Sequence, residues 1–371
     1  MRLFFTGDWH LRDYQSDKFY EYTIGDNEKI FIGERLFNKL KSMDEVANIV
    51  KENTPKSQER PILFVLGDVK HLPYTIDVNS LTCLLDYLDR HTEVDFYFLT
   101  GNHDLNSEDE HATNFLYSLK DKSNAFVVGM HEIKRFDLDD RIYLLPYNPN
   151  LPKMFEKLAE EMADDGYDNT QRILLSHLSV NGFLMNDAFR SNSKLKGSDL
   201  RKFFKYVFLN HFHKPQDEDG IFYVGSICQE NWGEIGEEKR ILELDTETYE
   251  VIEHKLNSYK KYLRLDYKEF DKEKIDVYKN NYILEIVNCS PGDDIQILQD
   301  NDIRYKMNTS ELISDFSGNS IEEDLSEEEK FKSYMLLNGV EEKDLEIYMS
   351  FFKEKILSIC ENMISSDEES K

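Results

Sequence analysis

Cysteine is scarce in this chain. There are four in 371 residues, Cys83, Cys228, Cys289 and Cys360, and no two form a CxxC pair. That excludes a thiolate zinc module and a disulfide framework, and it fits a reduced, intracellular compartment. Long apolar runs are missing too. No stretch approaches the ~20 residues needed to cross a bilayer, so no membrane partner is expected. The first residues enter a strand pattern directly, so no signal peptide is expected. No internal repeat is evident. Basic charge is in deficit: 45 Lys and Arg stand against 73 Asp and Glu, a formal net charge of −28. A protein that grips nucleic acid alone carries a basic footprint. A chain this acidic therefore acts on something else or shares that grip with a partner.

What the chain does have is five short polar clusters, each following a hydrophobic run. They are Gly7-Asp8-Trp9-His10, Gly67-Asp68, Gly101-Asn102-His103-Asp104, Ser176-His177 and His211-Phe212-His213. The runs before them include Leu3 to Thr6, Ile62 to Leu66, Phe96 to Thr100, Ile173 to Leu175 and Tyr206 to Leu209. Runs this short, rich in aliphatic and aromatic residues, read as buried strands. Helical patterns at Glu34 to Lys51 and Leu81 to His91 lie between some of them, which implies a layered α/β core. Ligands of such sheets bind beyond the carboxyl ends of the strands. All five clusters are therefore expected along one sheet edge, with Gly7, Gly67 and Gly101 easing sharp turns. The metal-ligating side chains are Asp, Asn and His, a set suited to hard or borderline divalent ions. Seven ligands are too many for one tetrahedral site. They suit two ions that share a carboxylate and stabilise both the attacking and leaving oxygens of a phosphoryl transfer.

In this order the motifs GDWH, GD, GNHD, a lone His after a strand and HxH resemble the calcineurin-like metallophosphoesterases. Asn210-His211-Phe212-His213-Lys214-Pro215-Gln216 and Tyr223-Val224-Gly225-Ser226 narrow the likeness. They resemble the SbcD-type nuclease subunits of double-strand-break repair complexes, including the recombination endonuclease subunits of large phages. The resemblance implies a two-sheet sandwich flanked by helices, over residues 1–256. It implies that Asp8, His10, Asp68 and His213 hold one metal and that Asp68, Asn102, His177 and His211 hold the other. His103 would protonate the leaving oxygen, Asp104 would orient His103, and His71 would help position a DNA phosphate. Mn²⁺ is the expected ion, and Mg²⁺, Fe²⁺ and Zn²⁺ accept the same donors. The implied setting is the cytoplasm of a bacterium or of a phage-infected cell. The implied partners are DNA, an SbcC-type coiled-coil ATPase and a second copy of the chain. Two departures stand out: Asn210 occupies a position usually held by Gly, and Asp13 to Gly33 reads as an insertion.

Other segments bear on the partners. From Arg190 to Lys205 six basic residues face one Asp. Arg190, Lys194, Lys196, Arg201 and Lys202 are the candidate DNA contacts, with an ordinary solvated helix face as the alternative. Residues 257–315 read as a small α+β capping domain, with strands at 262–265 and 282–287, a short helix at 293–301 and a further strand near 304–307. The hairpin of 240–244 and 249–252 is expected to form a second sheet. Residues 316–330 read as an acidic linker. Residues 331–364 read as a helical hairpin, and 365–371 as a disordered tail. The second helix of the hairpin carries Leu345, Tyr348, Met349, Phe352 and Ile356 on one stripe. Such a stripe suits the groove of the ATPase, or else folds back on its own domain. The expected activity is manganese-dependent exo- and endonucleolytic cleavage of DNA in recombination and repair. The alternatives are a phosphatase or phosphodiesterase on a small substrate, and a non-catalytic ATPase-binding scaffold.

Overall fold

The computed structural model describes residues 1–14, 18–109, 111–163, 165–185, 189–290 and 293–307, together with Lys332, Leu345 and Met349. In chain order the strands are β1 (Arg2–Thr6), β2 (Phe19–Ile24), β3 (Glu28–Gly33), β4 (Ile62–Val65), β5 (Asp95–Leu99), β6 (Ala125–Val128), β7 (Lys134–Phe136), β8 (Asp139–Leu145) and β9 (Ile173–His177). They continue with β10 (Tyr206–Asn210), β11 (Gln216–Glu218), β12 (Ile221–Tyr223), β13 (Arg240–Asp245), β14 (Val251–Lys255), β15 (Lys261–Asp266), β16 (Tyr282–Cys289) and β17 (Arg304–Met307). The helices are α1 (Glu34–Asn53), α2 (Val78–Arg90), α3 (Leu151–Met162), α4 (Gly197–Arg201), α5 (Ile275–Asn281) and α6 (Gln296–Asp300). The chain divides into two compact units. One is Met1–Leu265 with Glu269–Glu285, and the other is Asp266–Lys268 with Ile286–Lys371.

The first unit is built on two six-stranded sheets, ordered β14-β13-β1-β4-β5-β6 and β11-β12-β10-β9-β8-β7. Alternation along the central strands explains why they stack. In β1, Phe4 enters one core while Leu3 and Phe5 enter another. In β10, Phe208 joins the Leu3 and Phe5 core, and Val207 and Leu209 enter a third. Successive side chains point to opposite faces of a sheet, so both faces of each central strand are apolar. Between the sheets Phe5 stacks on Phe208, with ring centroids 4.2 Å apart. The outer face of the first sheet is covered by α1 and α2. The first of these buries Leu36, Leu40, Met43, Val46, Ala47 and Val50, a helical stripe. Asp77 caps the start of α2 by accepting the N–H of Ser80. Met154 and Leu158 of α3 and Leu200 of α4 cover the second sheet. The result is a four-layer α/β/β/α sandwich.

Two expectations need correction. The five clusters do not share one sheet: those after β1, β4 and β5 lie on the first, and those after β9 and β10 on the second. The 240–252 hairpin is not a second sheet, because β13 pairs antiparallel with β1 and so widens the first. Apolar alternation tells which residues are buried. It does not tell which strand is the neighbour. The Asp13 to Gly33 insertion contains the β2–β3 hairpin, paired from Phe19↔Gly33 to Ile24↔Glu28. Among the described residues no helix is long and apolar enough to cross a membrane. Cys83, Cys228 and Cys289 are free and buried; Cys360 lies outside the described residues.

Candidate metal centre

The first two ligand loops are zipped together by their backbones. Asp8 N–H donates to Gly67 O at 3.0 Å, His10 N–H to Asp68 O at 2.9 Å and Leu11 N–H to Val69 O at 2.8 Å. The parallel pairing of β1 and β4 thus continues past the strand ends. Several non-glycine residues of the ligand loops have unusual backbone: φ is 47° at Asp8, 45° at His10, 54° at Asp68 and 116° at His211. Such conformations cost of order 1–3 kcal/mol each and cluster at functional sites. Gly67 also has positive φ, at 91°. Gly7 and Gly101 do not, and their smallness serves close approach. A Cβ on Gly101 would lie 2.3 Å from Asp68 N and Oδ1, and one on Gly7 would lie 2.7 Å from Asn210 Cγ. Asn210, the departure from the usual Gly, packs against Gly7 and donates to Gly225 O at 3.0 Å.

All seven expected ligands join one contiguous cluster. His213 Nε2 is 3.0 Å from His10 Nε2. His10 Nε2 is 3.8 Å and His177 Nε2 3.4 Å from Asp68 Oδ2. Asn102 Oδ1 lies 3.0 Å from His177 Nε2 and 3.1 Å from His211 Nδ1. Asp8 Oδ2 accepts the His211 N–H at 3.2 Å. Two groups have ligand atoms close enough to hold an ion: His10, Asp68 and His103, and Asp68, His177 and His211. Asp68 belongs to both. His103, expected only as a proton donor, is part of the first. The profile of the calcineurin-like phosphoesterase family matches residues 1–254. The chain is a calcineurin-like phosphoesterase. No curated protein matches it.

This phosphoesterase fits the divalent ions of its family on its own chemistry. Asp8 Oδ1 is buried without a hydrogen-bond partner among the described residues, as a cation ligand would be. Oxygen and imidazole donors suit hard or borderline dications. The metal-free electrostatics divide the cluster. Burial opposes the charge on Asp68, but His177, His10 and His103 outweigh it and hold its carboxyl well below the usual range. Burial raises Asp8, reinforced by Asp68. His177 is pushed up to about 9 despite burial, because Asp68 and Asp8 face it. Burial drives His10 well down, and burial with His177 brings His211 down to about 4. Neutral His10 and His211 beside an ionised Asp68 are the protonation states that metal binding needs, whereas His177 and His213, raised by the carboxylates facing them, would give up a proton to an arriving ion.

The expected link from Asp104 to His103 is corrected. Asp104 is buried, and its carboxylate accepts backbone N–H groups from Asp68 and Gly101 on Oδ2 and from Val69 and Lys70 on Oδ1. The His103 ring instead places Nδ1 on the His71 carbonyl, and its backbone N–H donates to Asp68 Oδ1 at 2.8 Å. His71 sits beside the cluster, its ring centroid 5.4 Å from that of His10. Burial lowers it to about 4, and its Nε2 meets the Tyr14 hydroxyl at 2.9 Å.

Three buried lysines escaped the sequence reading. Each donates to the carbonyl of a site histidine: Lys39 to His10, Lys70 to His103 and Lys239 to His213. Lys39 is paired with Glu230 at 2.7 Å. Lys239 is paired with Glu234 and Glu237, both at 2.7 Å. Glu234 also lies 3.2 Å from His213 Nδ1, the carboxylate–imidazole arrangement that fixes a ligand's tautomer. Lys39 left a readable signal, since it falls on the apolar stripe of α1 between Leu36 and Met43. Lys239 sits in a polar stretch and left none.

The basic segment does not lie as a whole beside the ligands. Lys205 N–H donates to Arg172 O, just before β9, so this part of the chain is at the amino ends of β9 and β10, the far edge from His177 and His211. Arg201 donates to the carbonyls of Phe204 and Lys205, and Lys202 pairs with Asp199. Lys196 is the residue before α4, and its neighbour Leu195 accepts the Asn181 N–H at 2.8 Å, past the carboxyl end of β9. For Arg201 and Lys202 the expectation is therefore corrected. Sequence position between two ligands does not mean spatial position between them. Arg190, which donates to Gly182 O at 2.6 Å, and Lys194 are exposed on the loop that returns from β9. Of the docking stripe, Leu345 and Met349 are helical and Leu345 is buried. Tyr348, Phe352 and Ile356 lie outside the described residues.

Proposed function

We infer that this phosphoesterase is a DNA nuclease subunit, an exo- and endonuclease that hydrolyses phosphodiester bonds with two manganese ions. The observation that carries the reading is Asp68 shared between two candidate ion groups, with His103 beside it. Asp8, His10, Asp68 and His213 would hold one ion, and Asp68, Asn102, His177 and His211 the other. Bound ions supply Lewis-acid stabilisation of the reacting phosphate and an activated nucleophile. His103 has Nδ1 engaged by the His71 carbonyl, which leaves Nε2 to pass a proton to the leaving oxygen. DNA as substrate rests on the string Asn210 to Gln216 with Tyr223 to Ser226, which resembles the SbcD-type subunits. By the same resemblance the chain works as a homodimer with a coiled-coil ATPase in the cytoplasm, through its 331–364 segment. Residues 257–315 then serve as a capping domain on DNA.

A second reading, a phosphodiesterase on a small substrate, is favoured by the net charge of −28. One assay separates them. Purified protein with Mn²⁺ receives linear and hairpin DNA, with and without the ATPase, and then a small aryl phosphodiester. Cleavage of DNA supports the nuclease. Cleavage of the aryl ester alone, with the ATPase present, overturns it in favour of the second reading.

A further inference from the structure

Arg12 and Arg35 stand out in so acidic a chain because neither carries a carboxylate partner among the described residues. Both guanidiniums lie against one ring: Arg12 Cζ is 4.5 Å and Arg35 Cζ 4.8 Å from the centroid of Tyr14. The acids next to them in sequence are engaged elsewhere. Asp13 accepts the Gly33 N–H at 2.8 Å on one oxygen and Asn79 Nδ2 at 2.7 Å on the other. Glu34 accepts from the Tyr20 hydroxyl at 2.9 Å and pairs with Lys260 at 2.7 Å. Two like charges on one tyrosine repel each other, and cation–π attraction offsets only part of that. An arriving anion would offset the rest. The pair sits next to the chemistry, because the Tyr14 hydroxyl is 2.9 Å from His71 Nε2 and His71 stacks edge-on against His10.

We propose that Arg12 and Arg35, held by Tyr14, clamp a second phosphate of the substrate strand, next to the one hydrolysed. A planar guanidinium fork suits a phosphate diester, and two of them bind it with orientation as well as charge. Such a clamp favours a polynucleotide over a lone diester, because only a chain offers a phosphate at each position. The clamp rests on the nuclease reading and supplies the local basic surface that the 190–205 segment does not provide as a whole.

The test measures binding of a fluorescein-labelled oligothymidylate by anisotropy across a salt series, with Ca²⁺ replacing Mn²⁺ to suppress cleavage. Arg12→Gln and Arg35→Gln are each expected to weaken binding about tenfold. Each should also flatten the salt dependence by about 0.7 in log–log slope, the increment for one contact with a single strand. Lys202→Gln, at the far sheet edge, keeps wild-type affinity and slope. Unchanged melting temperatures exclude loss of fold as the cause. If both Arg variants match Lys202→Gln while the wild type binds and cuts the oligomer, the clamp is wrong and the nuclease stands. If the wild type, with the ATPase present, neither binds nor cuts it, yet hydrolyses bis-p-nitrophenyl phosphate, the nuclease reading fails and takes the clamp with it.

Discussion

Replacing Asp104 by asparagine removes the anion that ties two ligand loops together. Its two oxygens accept four backbone N–H groups: Asp68 and Gly101, both at 2.9 Å, and Val69 and Lys70, at 2.9 and 3.3 Å. Asparagine keeps one acceptor. In either orientation its amide group faces two donors, so two buried N–H groups lose their partner. Each orphaned donor costs about 1–3 kcal/mol, so the expected loss is about 2–6 kcal/mol. Against a typical stability of about 5–15 kcal/mol this is large but not fatal. Urea unfolding of the metal-free protein, followed by circular dichroism, measures it. The comparison belongs above the pH of about 7 to which burial and the charge of Asp68 raise this carboxyl. Calorimetric titration with Mn²⁺ is the second readout. Asp68 and Asn102 sit on the loops that Asp104 joins, so affinity should fall about 10–100-fold. A variant with wild-type stability and Mn²⁺ affinity, changed only in the pH dependence of its rate, would refute this. It would return Asp104 to the role of orienting His103.

Glu234→Gln should weaken Mn²⁺ binding about tenfold by calorimetry, because Glu234 faces His213 Nδ1 and is held ionised down to about 2, where His213 and Lys239 outweigh its burial; unchanged affinity would remove it from the site. His103→Ala should lower the rate about 100-fold or more on a diester with an alkoxide leaving group, and much less on a p-nitrophenyl ester, which leaves without a proton. Equal losses on both would sink the proton-donor role. Asp165→Asn should cost about 2 kcal/mol near neutral pH, since Arg172 and Tyr143 both donate to this carboxylate. Those partners outweigh burial and hold Asp165 well below the usual carboxylate range. Its stability is therefore present above the unfolded pKa of about 4 and lost as pH falls below it. Melts of the two proteins should converge in acid, and a gap that persists there would contradict the pairing.

The strand tips were legible because each ligand follows a run whose alternation places it in a buried strand. β1, β4, β5, β9 and β10 begin and end within about two residues of the expected runs. Helices α1 and α2 were legible from their apolar patterns, whereas α3 was not read from the sequence. The partition into two sheets was not, because Phe5 and Phe208 look alike as apolar residues and only their stacking joins the layers. Nor was the fate of the basic segment. Its charge was plain, but the chain passes from the carboxyl end of β9 to the amino end of β10 in the interval, and a linear count of Lys and Arg carries no direction.

What a motif search misses most is how the ligand positions are maintained. Asp8, His10, Asp68 and His211 all lie at positive φ, and each would relax toward ordinary backbone if nothing opposed it. The opposing groups are hydrogen-bond partners of the loop backbone. Gly67 O and Asp68 O take the N–H groups of Asp8 and His10. The ammonium groups of Lys39, Lys70 and Lys239 take the carbonyls of His10, His103 and His213 from 29, 33 and 26 residues away in sequence. A buried ammonium is costly unless paired and fully bonded. Lys39 and Lys239 meet that condition through Glu230 and Glu234. The acidic excess of this chain is therefore not all solvated surface: part of it pairs with two buried lysines, and those lysines hold the backbone of the site histidines where the ions need them.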